Sequence, residues 1–204
     1  MSDHSVSVLA RRERILAVAT GGVCVSVAFV LSLITVYKMP QGGSVTPASM
    51  LPILFFALSF GPGWGLCAAF IFSLLQLIGG YFLMPVQVLF DYTLAFTSLG
   101  VAGFFAAPRE KRVRKRDIIG KLMLVPLHKA VIGILTAIGL RMFFSVLSGV
   151  LFFSEYAGGE NPLIYSIFYN GSYLFPEAVI IIIVLFAVMI SFQLIQNKTS
   201  SGSV

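Results

Sequence analysis

The sequence predicts an all-α integral membrane protein with six transmembrane helices. Of its 204 residues, 58% are hydrophobic and only 11% are charged, whereas soluble proteins carry about 25% charged residues. The apolar residues form long runs, and a helix needs about 20 of them to cross the hydrocarbon of a bilayer. The basic residues gather between these runs. A chain of this composition could not cover its surface with polar groups in water, so lipid is its expected solvent.

Polar and turn-forming segments divide the apolar sequence into six runs. The first run ends at the polar residues 38–44, and the second is short and stops at Gly-Pro-Gly, residues 61–63, which is a strong turn signal. The fourth stops at the basic residues 109–116, and the fifth is interrupted by Pro126 and by the charged Arg141. The predicted spans are residues 15–37, 48–60, 64–82, 86–107, 118–153 and 163–195.

The basic residues predict how the chain is oriented in the membrane. Six spans place both termini on one side, and the basic connection 109–116 follows the fourth span on that same side. Clustered Lys and Arg mark the cytoplasmic side. We therefore predict a cytoplasmic N-terminal tail (1–13), a six-helix membrane domain (14–196) and a cytoplasmic C-terminal tail (197–204). The net charge of +6 does not indicate a nucleic-acid partner, because no aromatic residues are interleaved with the basic cluster.

Ionisable side chains inside membrane spans are costly and usually have a function. The sequence has four of them in or beside the spans: Asp91, Arg141, Glu155 and Glu177. Asp91 is near the start of the fourth span, and small residues follow it at helical spacing, which favours close packing or a cavity. Two simpler roles stay open for this carboxylate. It could sit in water at the interface, or it could pair with Arg141 as a structural bridge.

The sixth span opens with a polar and aromatic segment, residues 165–173. Within and after it, Asn170, Tyr173 and Glu177 are spaced so that they share one helical face. Tyrosines alone are typical of an interfacial belt, but a face with an amide and a carboxylate must point into the bundle or a watered cavity. Asp91 also lies in the outer half of its span. These residues could therefore line an outward pocket for a flat ligand that is cationic or forms hydrogen bonds.

The sequence contains none of the common motifs of catalysis or nucleotide binding. The patterns G-x-x-x-x-G-K-[ST], H-E-x-x-H and G-x-S-x-G are all missing. Two histidines, His4 and His128, are too few for a metal site or a catalytic triad. Cys24 and Cys67 lie in apolar stretches and indicate no disulfide framework or metal site. We predict a binding or transport protein with no catalytic residues, no metal and no cofactor.

Several segments follow one another in an order that resembles a known family. They are Met-Pro-Gln-Gly-Gly-Ser-Val (39–45), Met-Leu-Pro-Ile (50–53), Pro-Val-Gln-Val-Leu-Phe-Asp-Tyr (85–92), Ser-Gly-Val-Leu-Phe-Phe (148–153), Ile-Tyr-Ser (164–166) and Tyr-Asn-Gly-Ser-Tyr (169–173). They resemble the thiamine-specific substrate-binding (S) components of energy-coupling factor transporters. The resemblance implies an S-component-like bundle in the bacterial plasma membrane that binds thiamine near its outer face. It also implies partners: a membrane T-component and two cytoplasmic ATPase subunits.

The resemblance assigns ligand-facing positions residue by residue. Asp91 stands where the family has an acidic residue, commonly Glu, and Ser145 stands where it often has His. Phe153 and Phe72 stand at positions where members can have Trp. The predicted substrate-binding residues are Asp91, Tyr92, Tyr81, Phe72, Ser145, Phe153, Tyr165 and Asn170.

The resemblance also implies a lid and a docking surface. Gln41, Gly42, Gly43 and Ser44 resemble the loop that closes over the pocket. A small-x-x-x-small pair on the first span docks the partner module in the family, and here its positions hold Gly22 and Ser26, where Ala is usual. Small side chains allow the close helix approach that such a contact needs.

Other functions stay open from the sequence. The departures at Ser145, Phe72 and Phe153 are compatible with the same architecture binding a thiamine precursor or another flat vitamin. A self-sufficient secondary transporter or channel is a second alternative, and it would use Arg141, Glu155 and Glu177. An intramembrane enzyme is the least favoured class.

Overall fold

The computed structural model describes the backbone of residues 3–201 and the side chains of residues 8–192, 194 and 195. Within that part, the chain is helical apart from one hairpin of two short strands, β1 (Tyr37–Lys38) and β2 (Ser44–Val45), and its connections. Besides a 3-10 turn at Ser154–Ala157, the helices are α1 (Asp3–Leu33), α2 (Leu51–Phe60), α3 (Pro62–Leu75), α4 (Pro85–Phe105), α5 (Arg109–Arg112), α6 (Ile118–Leu122), α7 (Leu127–Phe152) and α8 (Pro162–Ser201).

Four helices of the described part are long and apolar enough to cross a membrane. They are α1 from Val8, α4, α7, and α8 as far as Phe192. The apolar helices α2 and α3 have 10 and 14 residues, fewer than the roughly 20 that a full span needs. The predicted count of six transmembrane helices is therefore not confirmed, because the described residues form eight helices, of which four are candidate spans.

The short helix α2 lies inside the bundle and does not face lipid. It packs against α1, α3, α4 and α6, and its residues Ile53, Leu54, Ala57 and Leu58 are fully buried. A helix that is apolar on all sides is surrounded either by protein or by lipid, and the burial of these side chains shows that α2 is surrounded by protein. The core of the molecule is therefore centred on α2.

Two predicted spans end or break earlier than their hydropathy indicates. The third span, predicted to reach residue 82, ends as helix at Leu75, and the following connection includes Gly79 at a φ of +78°, a conformation that glycine adopts readily. The fifth is divided into α6 and α7 at Pro126, which is extended, because proline lacks the N–H that a continuing helix would use. Hydropathy alone indicates neither break, but the predicted interruption of the fifth span at Pro126 is confirmed.

The predicted tails are partly helical. α1 already begins at Asp3, so residues 3–13 of the predicted N-terminal tail continue the first helix, and residues 1 and 2 lie outside the described part. At the other end, α8 extends to Ser201, and residues 202–204 of the predicted C-terminal tail lie outside the described part.

Helix α4 changes its winding three times. It is α-helical over Pro85–Val88, π-helical over Leu89–Leu94, α-helical over Ala95–Thr97 and a 3-10 helix over Ser98–Phe105. The 3-10 part packs backbone to backbone on α3, since a Cβ added to Gly100 would lie 2.5 Å from the N atom of Leu66. Wide π turns are frequent at functional sites, and this one carries Asp91.

The basic connection between α4 and α7 is held by two buried cations. Arg112 donates from Nε to the carbonyl of Ala107 at 2.7 Å, and Lys121 donates from Nζ to the carbonyl of Arg112 at 2.6 Å. Burial lowers the pKa of both side chains. Arg109 pairs with Glu13 of α1 at 3.4 Å. The predicted basic cluster is therefore fixed against the N-terminal part of α1.

Candidate ligand-binding site

A cavity of about 480 Å³ lies at one end of the bundle, a volume typical of small-molecule sites. Its walls come from the end of α1, the β1–β2 hairpin, the connection after α3, the π turn of α4, and the facing ends of α7 and α8. Segments distant in sequence therefore meet around one space, because the helix ends that surround it all lie on the same side of the bundle.

The structure brings most of the predicted substrate-binding residues to this cavity. Those that line it are Tyr81, Asp91, Tyr92, Ser145, Phe153, Tyr165 and Asn170. Phe72 is the exception, because its side chain is fully buried and packs edge-on against Phe96 with ring centroids 5.5 Å apart. Phe96 itself lines the cavity. The structure therefore does not place Phe72 in contact with a ligand in the cavity. Its ring instead packs against Phe96, a residue of the cavity wall.

Asp91 is held by a neighbour one turn away. Gln87, which is buried, donates from Nε2 to Oδ2 of Asp91 at 2.6 Å. The same amide accepts from the N–H of Leu83 at 3.2 Å, and Tyr92 accepts from the N–H of Tyr81 at 2.7 Å. These bonds fix the connection after α3 to the π turn. Sequence reasoning did not name Gln87, although its spacing of four residues from Asp91 in a helix is the signal that could have found it.

The polar face predicted on the last helix lines the cavity. Asn170, Tyr173 and Glu177 all contribute to its wall. Asn170 donates from Nδ2 to the carbonyl of Ser166 at 3.0 Å, and it accepts from the hydroxyl of Tyr173 at 2.6 Å. These side chains are buried, so the face is a fixed polar wall and not an interfacial belt.

A buried ion pair closes one side of the cavity. Arg141 Nη1 lies 3.6 Å from Oε2 of Glu177, and the two residues are 7% and 1% exposed. The guanidinium also lies over the ring of Phe96, 4.0 Å from its centroid. The structure therefore pairs Arg141 with Glu177. The described residues show no ion pair between Arg141 and Asp91, which was the bridge that the sequence left open. Asp91 is left as the carboxylate of the cavity wall that no described cation pairs with.

The predicted lid residues Gln41, Gly42, Gly43 and Ser44 lie at the cavity. The first three are in the turn between the strands, and Ser44 begins β2. Gly42 and Gly43 have φ values of +88° and +82°, which favour glycine. A Cβ on Gly43 would also lie 2.6 Å from the ring of Tyr173. The turn can therefore approach α8 closely because it has no side chain at that position.

The predicted docking residues do not line the cavity and lie on the outside of α1. Gly22 and Ser26 are one helical turn apart and both are exposed. A Cβ added to Gly22 would meet nothing within 4 Å. The described part of the chain therefore leaves this small-residue face uncovered.

Comparison with known proteins gives consistent matches over the membrane part of the chain. The family model "Thiamine transporter protein (Thia_YuaJ)" matches residues 18–197. The thiamine transporter ThiT of Bacillus subtilis is 39% identical over 152 residues, which are 72% of this chain and 76% of that protein. The thiamine transporter ThiT of Lacticaseibacillus paracasei is 32% identical over 142 residues, or 66% of this chain and 68% of that protein.

A solved structure agrees with these sequence matches. ThiT from Listeria monocytogenes has a TM-score of 0.66 and 26% identity to this chain, with 85% of this chain and 95% of that chain covered. The fold and the sequence thus point to the same relatives, and they confirm the family that the sequence segments resemble. The chain therefore belongs to the thiamine transporter family Thia_YuaJ, a family of transporters and not of enzymes.

Proposed function

We propose that this chain is the thiamine-binding membrane subunit of an energy-coupled vitamin importer in the bacterial plasma membrane. Membership of the family supports thiamine as the transported ligand. The observation that carries the proposal is the cavity, which combines the unpaired carboxylate of Asp91, the amide of Asn170 and several aromatic rings beneath a glycine-rich turn. Thiamine enters this scheme as cargo and not as a cofactor.

The chemistry of the cavity fits the chemistry of thiamine. The ligand has a fixed positive charge on its thiazolium ring and hydrogen-bonding groups on its aminopyrimidine ring. Asp91 can pair with the cation or accept from the amino group, and aromatic rings such as Phe153 and Tyr165 can stack on the ligand. The positive charge of Arg141 is paired with Glu177 and not with Asp91. The carboxylate of Asp91 therefore stays available to a cationic ligand, and the second basic residue of the lining, Lys38, is exposed.

The position of the cavity supports an outward-facing site. Ser32 and Leu33 at the C-terminal end of α1 line it, whereas Glu13 near the other end of α1 pairs with Arg109. The cavity and the basic connection are thus at opposite ends of α1. Because basic residues mark the cytoplasmic side, we place the cavity at the outer face and both termini in the cytoplasm. In this arrangement α2 and α3 complete a six-helix membrane domain over residues 14–196, between the tails 1–13 and 197–204.

The first prediction concerns energy. The sequence has no P-loop, so we expect the chain reconstituted alone in liposomes to bind radiolabelled thiamine at its outer face without accumulating it. Filter assays with and without internal ATP measure this. Failure to bind would contradict the proposed ligand. Accumulation against a gradient would instead favour a secondary transporter.

We further propose that Gly22 and Ser26 contact a partner module of one membrane T-component and two cytoplasmic ATPase subunits. The two small residues form an exposed face on a helix that is long enough to span the membrane. Membrane helices approach one another closely where small residues face each other. The exposure of this face supports the proposal, since no packing among the described residues covers it.

The second prediction concerns this docking face. A long side chain would hold the helices apart, so we expect Gly22→Leu or Ser26→Trp to abolish co-purification with the partner module. Thiamine binding to the isolated chain is expected to survive, since a Cβ at Gly22 meets no described atom. The matched control is Ile132→Trp on the exposed side of α7, which is expected to assemble normally. Normal assembly of both α1 variants would show that the docking face is elsewhere.

A further inference from the structure

One stripe of α8 contacts the lid along its length. Tyr169, Tyr173 and Glu177 follow one another at intervals of four residues and so lie on one side of the helix. The lid is defined here as residues 37–46, which form the β1–β2 hairpin and the residue after it. Each of the three side chains contacts a different part of this segment.

The tip of the lid is bonded to Tyr169. The N–H of Gln41 donates to the hydroxyl of Tyr169 at 2.9 Å, and that hydroxyl donates to the carbonyl of Gly42 at 2.9 Å. One side chain thus satisfies two backbone groups of a turn. In the middle of the lid, Gly43 lies directly on the ring of Tyr173, with no space for a side chain.

The base of the lid is bonded to Glu177. Its Oε1 accepts from the N–H of Thr46 at 3.1 Å and also from the hydroxyl of Thr46. Because an ionised carboxylate is an acceptor only, the Thr46 hydroxyl must be the donor, and its oxygen then accepts from the hydroxyl of Ser49, 2.8 Å away. Thr46 and Glu177 are 3% and 1% exposed. Hydrogen bonds to charged groups are stronger than neutral ones, so this is the strongest of the three contacts.

The same carboxylate also connects the lid to the cavity wall. Oε2 of Glu177 pairs with Arg141, which lines the cavity, while Oε1 holds Thr46. Both oxygens of Glu177 are therefore engaged within the protein. Although Glu177 lines the cavity, it does not offer a free carboxylate to a cationic ligand as Asp91 does.

We propose that Glu177 is a positioning residue whose bond to Thr46 latches the lid over the cavity and so sets how fast the bound cation leaves. The contacts of Tyr169 and Tyr173 align the lid on α8, and the Glu177–Thr46 bond holds its base. Arg141 keeps Glu177 in place for this role. The inference rests on the proposed function for the identity of the ligand, but the latch itself is a property of the free protein.

The first measurement needs no ligand. Gln41→Cys is introduced together with Cys24→Ala and Cys67→Ser, which remove the two free cysteines. The side-chain oxygen of Gln41 is buried, so a membrane-impermeant maleimide is expected to label this site slowly while the latch is closed. Adding Thr46→Val removes the hydroxyl at nearly constant shape. We expect it to raise the labelling rate by roughly tenfold or more, since a charge-assisted hydrogen bond is lost.

The second measurement uses thiamine. We expect Thr46→Val to raise the dissociation rate of radiolabelled thiamine by roughly tenfold, with a smaller change in the association rate. Thr46→Ser keeps the donor and is expected to restore the wild-type rate. Thr136→Val is the matched control, because its hydroxyl bonds to the carbonyl of Ile132 on the exposed side of α7. It is expected to change neither rate.

The two measurements separate the latch from the proposed function. A wild-type protein that does not bind thiamine would overturn the proposed ligand, while the labelling rates would still test the latch. Wild-type labelling and release in Thr46→Val would overturn the latch. If that variant does not fold, Glu177→Gln weakens the same bond by removing its charge, and a wild-type labelling rate in that variant would likewise contradict the proposal.

Discussion

Replacing Asp91 by asparagine is expected to weaken thiamine binding by roughly tenfold to a hundredfold, because a hydrogen bond or pair with a charged group contributes on the order of 1.5–3 kcal/mol. The substitution keeps the shape of the side chain and an oxygen that can accept from Gln87. It removes the negative charge that no described cation neutralises. Isothermal titration of the purified protein with thiamine measures the effect.

A matched control separates a local effect from the general charge of the protein. Glu160 lies in the exposed connection before α8, on the side of the molecule where the cavity is, but it does not line the cavity. Glu160→Gln removes one negative charge by the same chemistry and is expected to leave the affinity unchanged. Equal affinities in Asp91→Asn and the wild type would mean that Asp91 has a structural role, and the ligand assignment would then depend on family membership alone.

Replacing Glu177 by leucine is expected to lower the free energy of unfolding by about 3–5 kcal/mol, because breaking a buried ion pair leaves the other charge without compensation. Arg141 would stay buried beside an apolar side chain, and the backbone N–H of Thr46 would lose its acceptor. Chemical or thermal unfolding in detergent measures the loss.

A second substitution tests whether the isolated charge causes this loss. The double variant Glu177→Leu with Arg141→Met replaces both ions by apolar side chains, and such replacements are often neutral. We expect it to regain most of the lost stability, with a remaining deficit from the bond to Thr46. A double variant no more stable than Glu177→Leu alone would show that the pair contributes through packing and not through charge. Glu160→Leu, in an exposed connection, serves as the surface control.

The sequence predicts the long helices well and the short segments poorly. The first, fourth and sixth apolar runs appear as α1, α4 and α8, because burial in lipid or in the bundle requires continuous apolar sequence. The sequence also predicts an interruption at Pro126, because proline is visible as a residue type, whereas the end of α3 at Leu75 depends on how neighbouring segments close the bundle. The π turn around Asp91 has no hydropathy signature at all, since changes of helical winding leave the composition unchanged.

The candidate site divides in the same way. Asp91, Tyr165 and Asn170 could be named from local sequence, because their segments resemble those of a known family. Thr46 could not be paired with Glu177, since 131 positions separate them. The sequence offers Asp91 as one possible partner of Arg141. Only the packing of α7 against α8 shows that the partner is Glu177. Contacts between distant segments are what local patterns do not encode.

The shortness of α3 has a consequence for the surrounding bilayer. Its 14 residues extend about 21 Å at 1.5 Å per residue, well below the roughly 30 Å of a typical hydrocarbon core. Phe70, Ile71 and Leu74 are exposed on it, so we expect lipid tails to contact this short apolar surface directly. Next to a short hydrophobic helix, the bilayer thins or the flanking polar side chains extend to the interface. The bilayer beside α3 is therefore expected to be thinner than beside α8, and lipids with short acyl chains fit that side of the protein best.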